Sequence, residues 1–206
     1  MHSAKLSFSS ARAAVRRERG ADRRGGEAGF SLIETMISVG LLATVALSVA
    51  QMFAVSTQAN LNAKAQTSAT LLAEQRMEQL RSLTWGFDDS GVGLPESDTT
   101  TNLTQDPPTS NGNGLNPSPS DTLRSNVTGY HDFLDAYGAW LGSGGAAPAG
   151  TAYIRRWSVE PLPTNPNNTL ILQVQVTPIS RDRTRTNGRR LRDEVRLVSV
   201  KTRKAK

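Results

Sequence analysis

The spacing of apolar positions along this chain changes twice. From Thr35 to Ala63 there is no Asp, Glu, Lys or Arg, and the first part of that stretch is dense in Leu, Val, Ile, Met and Ala. A helix needs roughly 20 apolar residues to cross a hydrocarbon core about 30 Å thick, and the run that begins at Phe30 meets that length. Beyond it Leu61, Ala65, Ala69, Leu72 and Leu80 continue at near-helical spacing, interleaved with Lys64, Glu74, Arg76, Glu78 and Arg81. No Pro occurs between Phe30 and Leu94, and between Phe30 and Gly86 the only intervening Gly is Gly40. The pattern predicts one helix from Phe30 to about Leu83, close to 80 Å long at about 1.5 Å per residue. Its first part, about 30–55, is apolar enough to span a membrane, and its later part is amphipathic.

Trp85-Gly86-Phe87-Asp88-Asp89 ends that pattern. Residues 88–121 are rich in Gly, Asn, Ser, Thr, Pro and Asp, which predicts a mobile loop with too little apolar surface to offset the entropy of ordering it. Tyr130, Phe133, Leu134, Tyr137, Trp140 and Leu141 then recur at i, i+3, i+4, i+7, i+10 and i+11, the pattern of a short amphipathic helix interrupted by Gly138. Three strand patterns follow. Tyr153–Val159 places Tyr153, Trp157 and Val159 on one face, Leu170–Val176 places Leu170, Leu172, Val174 and Val176 inward, and Glu194–Val200 is less regular. Pro161, Pro163, Asn165-Pro166-Asn167-Asn168 and Asn187-Gly188 supply the turns. The expected fold class is α+β: a long helix with an antiparallel sheet of three to four strands on its C-terminal half. The expected divisions are 1–29, a removable leader; 30–84, the helix; 85–128, the loop; and 129–206, the sheet with a basic tail.

Charge sharpens this division. Residues 1–29 carry seven Lys/Arg against three Asp/Glu, residues 181–206 carry eleven against three, and residues 30–180 carry six against twelve. Both ends are basic and the centre is acidic. A basic segment before an apolar one suggests an export signal whose positive end stays in the cytoplasm. An ordinary secretory signal with a cut near Ala43, Ala46, Ser48 or Ala50 is one reading, but the helical pattern runs past those residues. The Arg16-Arg17 and Arg23-Arg24 pairs lack the surroundings of a twin-arginine signal.

The junction itself is more specific. Glu34 sits just inside the apolar run, where a carboxylate is costly unless paired. One reading makes it a first-turn residue favoured by the helix dipole. However, Gly29 followed by Phe30-Ser31-Leu32-Ile33-Glu34-Thr35 resembles the processing site of the type IV pilin superfamily. That resemblance implies a lollipop-like fold and cleavage between Gly29 and Phe30 by prepilin peptidase. It further implies N-methylation of Phe30 and a role for Glu34 in setting register, by pairing with a neighbouring subunit's terminal amine. Leu72-Ala73-Glu74-Gln75-Arg76-Met77-Glu78-Gln79-Leu80-Arg81, with the Tyr153-x-Arg155-x-Trp157-x-Val159 strand, is similar to the V-type minor pilins, the type IV pilus modification proteins. The low-complexity loop, and Gln51 where many major pilins carry Pro, also point to a minor subunit. The implied partners are prepilin peptidase, other pilin or pseudopilin subunits and an inner-membrane platform. The implied location is the bacterial inner membrane, single-pass with a cytoplasmic N-terminus, and then a fibre. A minor pseudopilin of type II secretion fits the same motif.

Other chemistries have less to stand on. The chain has no Cys and only His2 and His131, so thiol catalysis is excluded and an imidazole pair or metal cluster is not expected. Asp88, Asp89, Glu96 and Asp98 could hold calcium but match no EF-hand spacing. Asp132 and Asp135 read as first-turn helix carboxylates. No phosphate loop or nucleophile elbow is present, so no enzyme, cofactor or metal is expected. Arg189, Arg190 and Arg192 could contact DNA phosphates, as in a DNA-uptake pilin, although no interleaved aromatics suggest base stacking.

Overall fold

The computed structural model describes residues 29–87, 95–182 and 194–203. Helix α1 spans Leu32–Ser82, within two residues of the expected bounds. It is followed by β1 (Trp85–Phe87), β2 (Pro95–Ser97), β3 (His131–Leu134), β4 (Trp140–Gly142), β5 (Tyr153–Pro161), β6 (Thr169–Pro178), α2 (Ile179–Asp182) and β7 (Val195–Thr202). β1 and β2 form a two-stranded antiparallel ribbon, and the other strands form one antiparallel sheet in the order β4-β3-β5-β6-β7. Helix and antiparallel sheet together make the protein α+β. The sheet has five strands rather than three or four, because the segment expected to be a helix, 130–141, is the β3–β4 hairpin.

The chain divides into two compact units, residues 1–49 and 50–206. In the described part of the first, α1 is exposed throughout, Leu41, Leu42 and Leu47 being at least 63% accessible. Its composition and length would let it cross a membrane. In the second unit, α1 buries Ala69, Ala73, Arg76, Met77 and Leu80, a stripe at i, i+4, i+7, i+8 and i+11. The sheet answers with alternate residues, as a period of two requires. Tyr153, Trp157 and Val159 of β5 and Leu170, Leu172, Val174 and Val176 of β6 join that stripe in one core.

The opposite face of β5 and β6 is covered by the segment after Asn116. Gln175 Nε2 donates to the Leu123 carbonyl at 3.1 Å, and Ser118 N donates to Val159 O at 2.8 Å beside β5. β5 is therefore buried on both faces from Tyr153 to Val159.

Residues 95–121 are tied down, which corrects the expectation of a mobile loop over the described part of 88–121. Leu103 and Leu115 belong to the main core. Asp98 Oδ1 accepts from the Thr100 and Thr101 amides at 3.1 and 2.9 Å, and Oδ2 accepts from the Thr101 hydroxyl at 2.6 Å. Leu115 N donates to Asp98 O at 2.8 Å. Burial works to raise the Asp98 pKa, but these hydrogen bonds from Thr101 and Thr100 outweigh it and hold the carboxyl below its usual 3.8. The glycines are part of this packing: a Cβ on Gly112 would lie 2.1 Å from Asn102 Cα.

Candidate functional site

The amino-terminal motif occupies the entry to α1. Gly29 precedes the helix with no heavy atom within 4 Å of where a Cβ would stand, and Phe30 is 81% exposed. The Ser31 carbonyl accepts from Thr35 N at 3.1 Å, the first turn of the helix, which makes Ser31 the N-cap residue and Glu34 the third helical residue. Ser31-x-x-Glu34 is the spacing of a capping box. Glu34 lies in the first turn, is exposed, and has no ion-pair partner among the described residues. Its position suits the helix dipole. The leader up to Ala28 lies outside the described residues.

A second charged group stands where the helix meets the sheet. Arg76 projects from the buried stripe of α1, Asp132 from β3 and Arg155 from β5, and all three are at most 1% exposed. Register brings the last two together, because Asp132 pairs directly with Arg155 across the ladder. Arg155 grips the carboxylate with both prongs, Nε to Oδ1 at 3.0 Å and Nη2 to Oδ2 at 2.6 Å. Arg76 Nη2 reaches the same Oδ2 at 2.5 Å, and Nη1 donates to the Leu103 carbonyl. Arg155 Nη1 also donates to the Leu72 carbonyl and Gln75 Oε1 of the helix, at 3.1 and 3.2 Å.

Two guanidiniums thus share one carboxylate in the interior, leaving a net positive charge out of water. The Arg76 guanidinium lies 4.5 Å from the centre of the Trp157 ring, in a cation–π contact that offsets part of that cost. Burial, and then the neighbouring Arg155 charge, push the Arg76 pKa down to about 10 against the pull of Asp132. The arrangement binds helix, sheet and the 98–116 segment at one point. It offers no open face to a substrate.

This centre went unseen in the sequence. Asp132 is a buried strand residue rather than a helix carboxylate. Asp135 closes the β3–β4 turn, its Oδ1 accepting from the Tyr137 and Ala139 amides at 2.8 Å each. The available signal was alternation: the row containing Tyr153, Trp157 and Val159 also contains Arg155, an inward-facing charge that requires a partner.

On the other face of β5, Arg156 donates to the Asp182 carboxylate at 2.7 and 2.8 Å and to the side-chain Oδ1 of Asn126 at 3.1 and 2.7 Å. Buried His131 sets its ring nitrogens 2.8 and 2.9 Å from the Val127 and Gly144 carbonyl oxygens. At the far end of the sheet, Lys201 Nζ donates to the Arg81 carbonyl at 2.5 Å, capping the last turn of α1. Burial, and then the Arg81 charge, lower the Lys201 pKa.

Among the described residues no three His, Cys, Asp or Glu side chains stand together as a metal site would require. Asp88 and Asp89, suggested for calcium, and Arg189, Arg190 and Arg192, suggested for DNA, lie outside the described residues. Comparison of the chain with protein-family models, with curated proteins and with solved structures finds no match.

Proposed function

We propose that this chain is a minor, pilin-like structural subunit of a type IV pilus, cut by prepilin peptidase between Gly29 and Phe30 and methylated on the new terminal amine. The reading rests on one observation: Gly29-Phe30-Ser31-Leu32-Ile33-Glu34 stands at the head of a 51-residue helix whose first half is exposed and apolar. Glu34 follows Phe30 by four residues, about 6 Å along a helix. Two such helices packed side by side with that axial stagger bring one subunit's amine to the next subunit's carboxylate. Each charge is costly alone in lipid or a fibre core and is tolerated when paired. The subunit is then a substrate and building block rather than an enzyme. It is held in the bacterial inner membrane by the apolar part of α1, about 30–55, with its C-terminal head on the outer side, until assembly. A minor pseudopilin of a type II secretion system shares the motif and the chemistry, and the genes beside this one distinguish the two.

The test is mass spectrometry of the mature amino terminus in a strain carrying the cognate peptidase. N-methyl-Phe30 is the expected terminus; an intact leader or a cut near Ala50 overturns the proposal. Glu34→Ala is expected to be cleaved normally and to be lost from sheared fibres, and normal incorporation would show that the pairing does not set register.

A further inference from the structure

The imidazole of His131 lies between two carbonyl groups. Asp132 projects toward Arg76 of α1, so alternation turns His131 to the opposite face of the sheet. There it is 1% exposed and meets the buried Phe133 ring edge-on, with centroids 5.4 Å apart. Nδ1 stands 2.8 Å from the Val127 oxygen and Nε2 stands 2.9 Å from the Gly144 oxygen. Both oxygens can only accept, whereas a neutral imidazole has one N–H and one lone pair. A neutral ring in this place sets one nitrogen against a carbonyl oxygen, acceptor to acceptor. Only the doubly protonated ring donates to both. Burial works against that charge, and two charge-assisted hydrogen bonds work for it.

The charges around the ring come in pairs. On β3, Asp132 is bound by Arg76 and Arg155 on the far face. On β5, Arg156 stands directly across the ladder from His131, and Asp182 of α2 answers it at 2.7 Å. Next in that row β6 places the neutral Gln175. Arg181 of α2 lines a groove with Gln58 and Asn62 of α1 instead, and Arg124 faces Asp121 at the surface. Residues 126–130 and 136–152 contain no Asp, Glu, Lys or Arg.

The two carbonyl groups differ in what else holds them. Val127 is tied within its own segment, its amide donating to Ser125 O and its oxygen accepting from Tyr130 N, each at 3.1 Å. Residues 143–147 contain only Ser, Gly and Ala, and Gly144, Gly145 and Ala146 are exposed. Among the described residues, His131 is the one side chain hydrogen-bonded to them.

From this geometry we infer that His131 is a proton-operated latch on the loop 143–147. With a second proton, taken from water, the ring bridges Val127 and Gly144 and pins the loop to the sheet. Without it the remaining N–H stays with the anchored Val127 carbonyl, and the Gly144 carbonyl, left facing a lone pair, moves off. Histidine changes charge in the range of about pH 5 to 8, so mild acidification closes the latch. The inference uses only the sheet and its connections and stands whether or not the chain enters a fibre.

The experiment measures amide exchange of the full chain in detergent at about pH 5 and about pH 8, corrected for the intrinsic pH dependence of exchange. Protection of residues 143–147 is expected to be about tenfold greater at the lower pH, beyond any change in β5 and β6, the effect of one hydrogen bond to a charged group. His131→Gln, which cannot take up the proton, should remove that difference. His2→Ala leaves His131 as the only imidazole. Its ring nitrogen resonances should then show both nitrogens protonated at the lower pH and one at the higher, with the latch itself unaltered. Equal protection at the two pH values, a difference that survives His131→Gln, or a singly protonated ring at the lower pH overturns the inference. The first and third of these outcomes are read without altering His131, so they decide the matter even if His131→Gln fails to fold.

Discussion

The first and second halves of α1 are both rich in apolar residues, yet they place them differently. Between Leu41 and Val49 the apolar side chains Leu41, Leu42, Val45, Leu47 and Val49 point around the whole circumference, and each is 45–69% exposed. Between Ala69 and Leu80 they gather, apart from the exposed Leu71, in one stripe that is fully buried at Ala69, Ala73 and Leu80, while Glu74, Glu78 and the following Arg81 face water. A helix that is apolar all round needs an apolar environment all round, in lipid or among other helices. A striped helix needs a single partner, which this chain provides in its own sheet. The periodicity of an apolar run therefore says whether its partner lies inside or outside the fold.

The sharpest way to break the comparison is to unfasten the striped half. Asp132→Ala leaves Arg76 and Arg155 buried with no counter-charge. Losing one partner of a buried ionic group costs about 3–5 kcal/mol, so unfolding followed by tryptophan fluorescence should shift by that amount. Arg76→Met, Asp132→Leu and Arg155→Met combined should recover most of it, because no buried charge then remains. A loss below about 1 kcal/mol for Asp132→Ala would show that apolar packing alone holds the helix to the sheet.

The helix and strands β5 to β7 were legible because periods of 3.6 and 2 persist there for seven residues or more. The β3–β4 hairpin was not, because Phe133, Leu134, Trp140 and Leu141 fit a helical stripe as well as a short hairpin. The distinction lies at Gly138, with φ +87°, where a Cβ would stand 2.8 Å from Leu72 Cδ2. That close approach of turn to helix is a tertiary fact with no local trace. The 95–121 segment misled for a related reason. Gly112 and Gly114 read as low complexity, but they are glycines because Asn102 and Asp98 leave no room for a side chain. The buried ionic centre was missed: alternation puts Arg155 in the inward row of β5, but that consequence was not drawn, and its partner Asp132 reads in the sequence as a helix carboxylate.

A milder perturbation compares the two halves directly. Ala73→Leu forces extra methylenes into a contact with no exposed surface and should destabilise residues 50–206 by about 1–3 kcal/mol. Ala46→Leu, the same change on the exposed half, should leave that unfolding within about 0.5 kcal/mol of the parent. Equal effects from the two substitutions would remove the distinction between a stripe packed within the fold and a surface left for partners.

The smallest expected effect tests the cover over the striped half. Asp98 organises the segment that brings Leu103 and Leu115 to the core, and its folded pKa lies below the unfolded value. A carboxyl with that shift contributes stability in full above about pH 3.8, and the contribution drains away as the pH falls through the lower folded value. Asp98→Asn should therefore cost about 1 kcal/mol at neutral pH through weakened hydrogen bonds to Thr100 and Thr101. It should cost progressively less on acidification, so that the two unfolding curves converge at the acid end. The measurement is urea unfolding of the full chain in detergent at a series of pH values between neutral and strongly acidic. A difference that stays constant with pH would assign the role of Asp98 to the shape of the turn rather than to its charge. In that case the segment over the helix is held by Leu103, Leu115 and its glycine contacts alone.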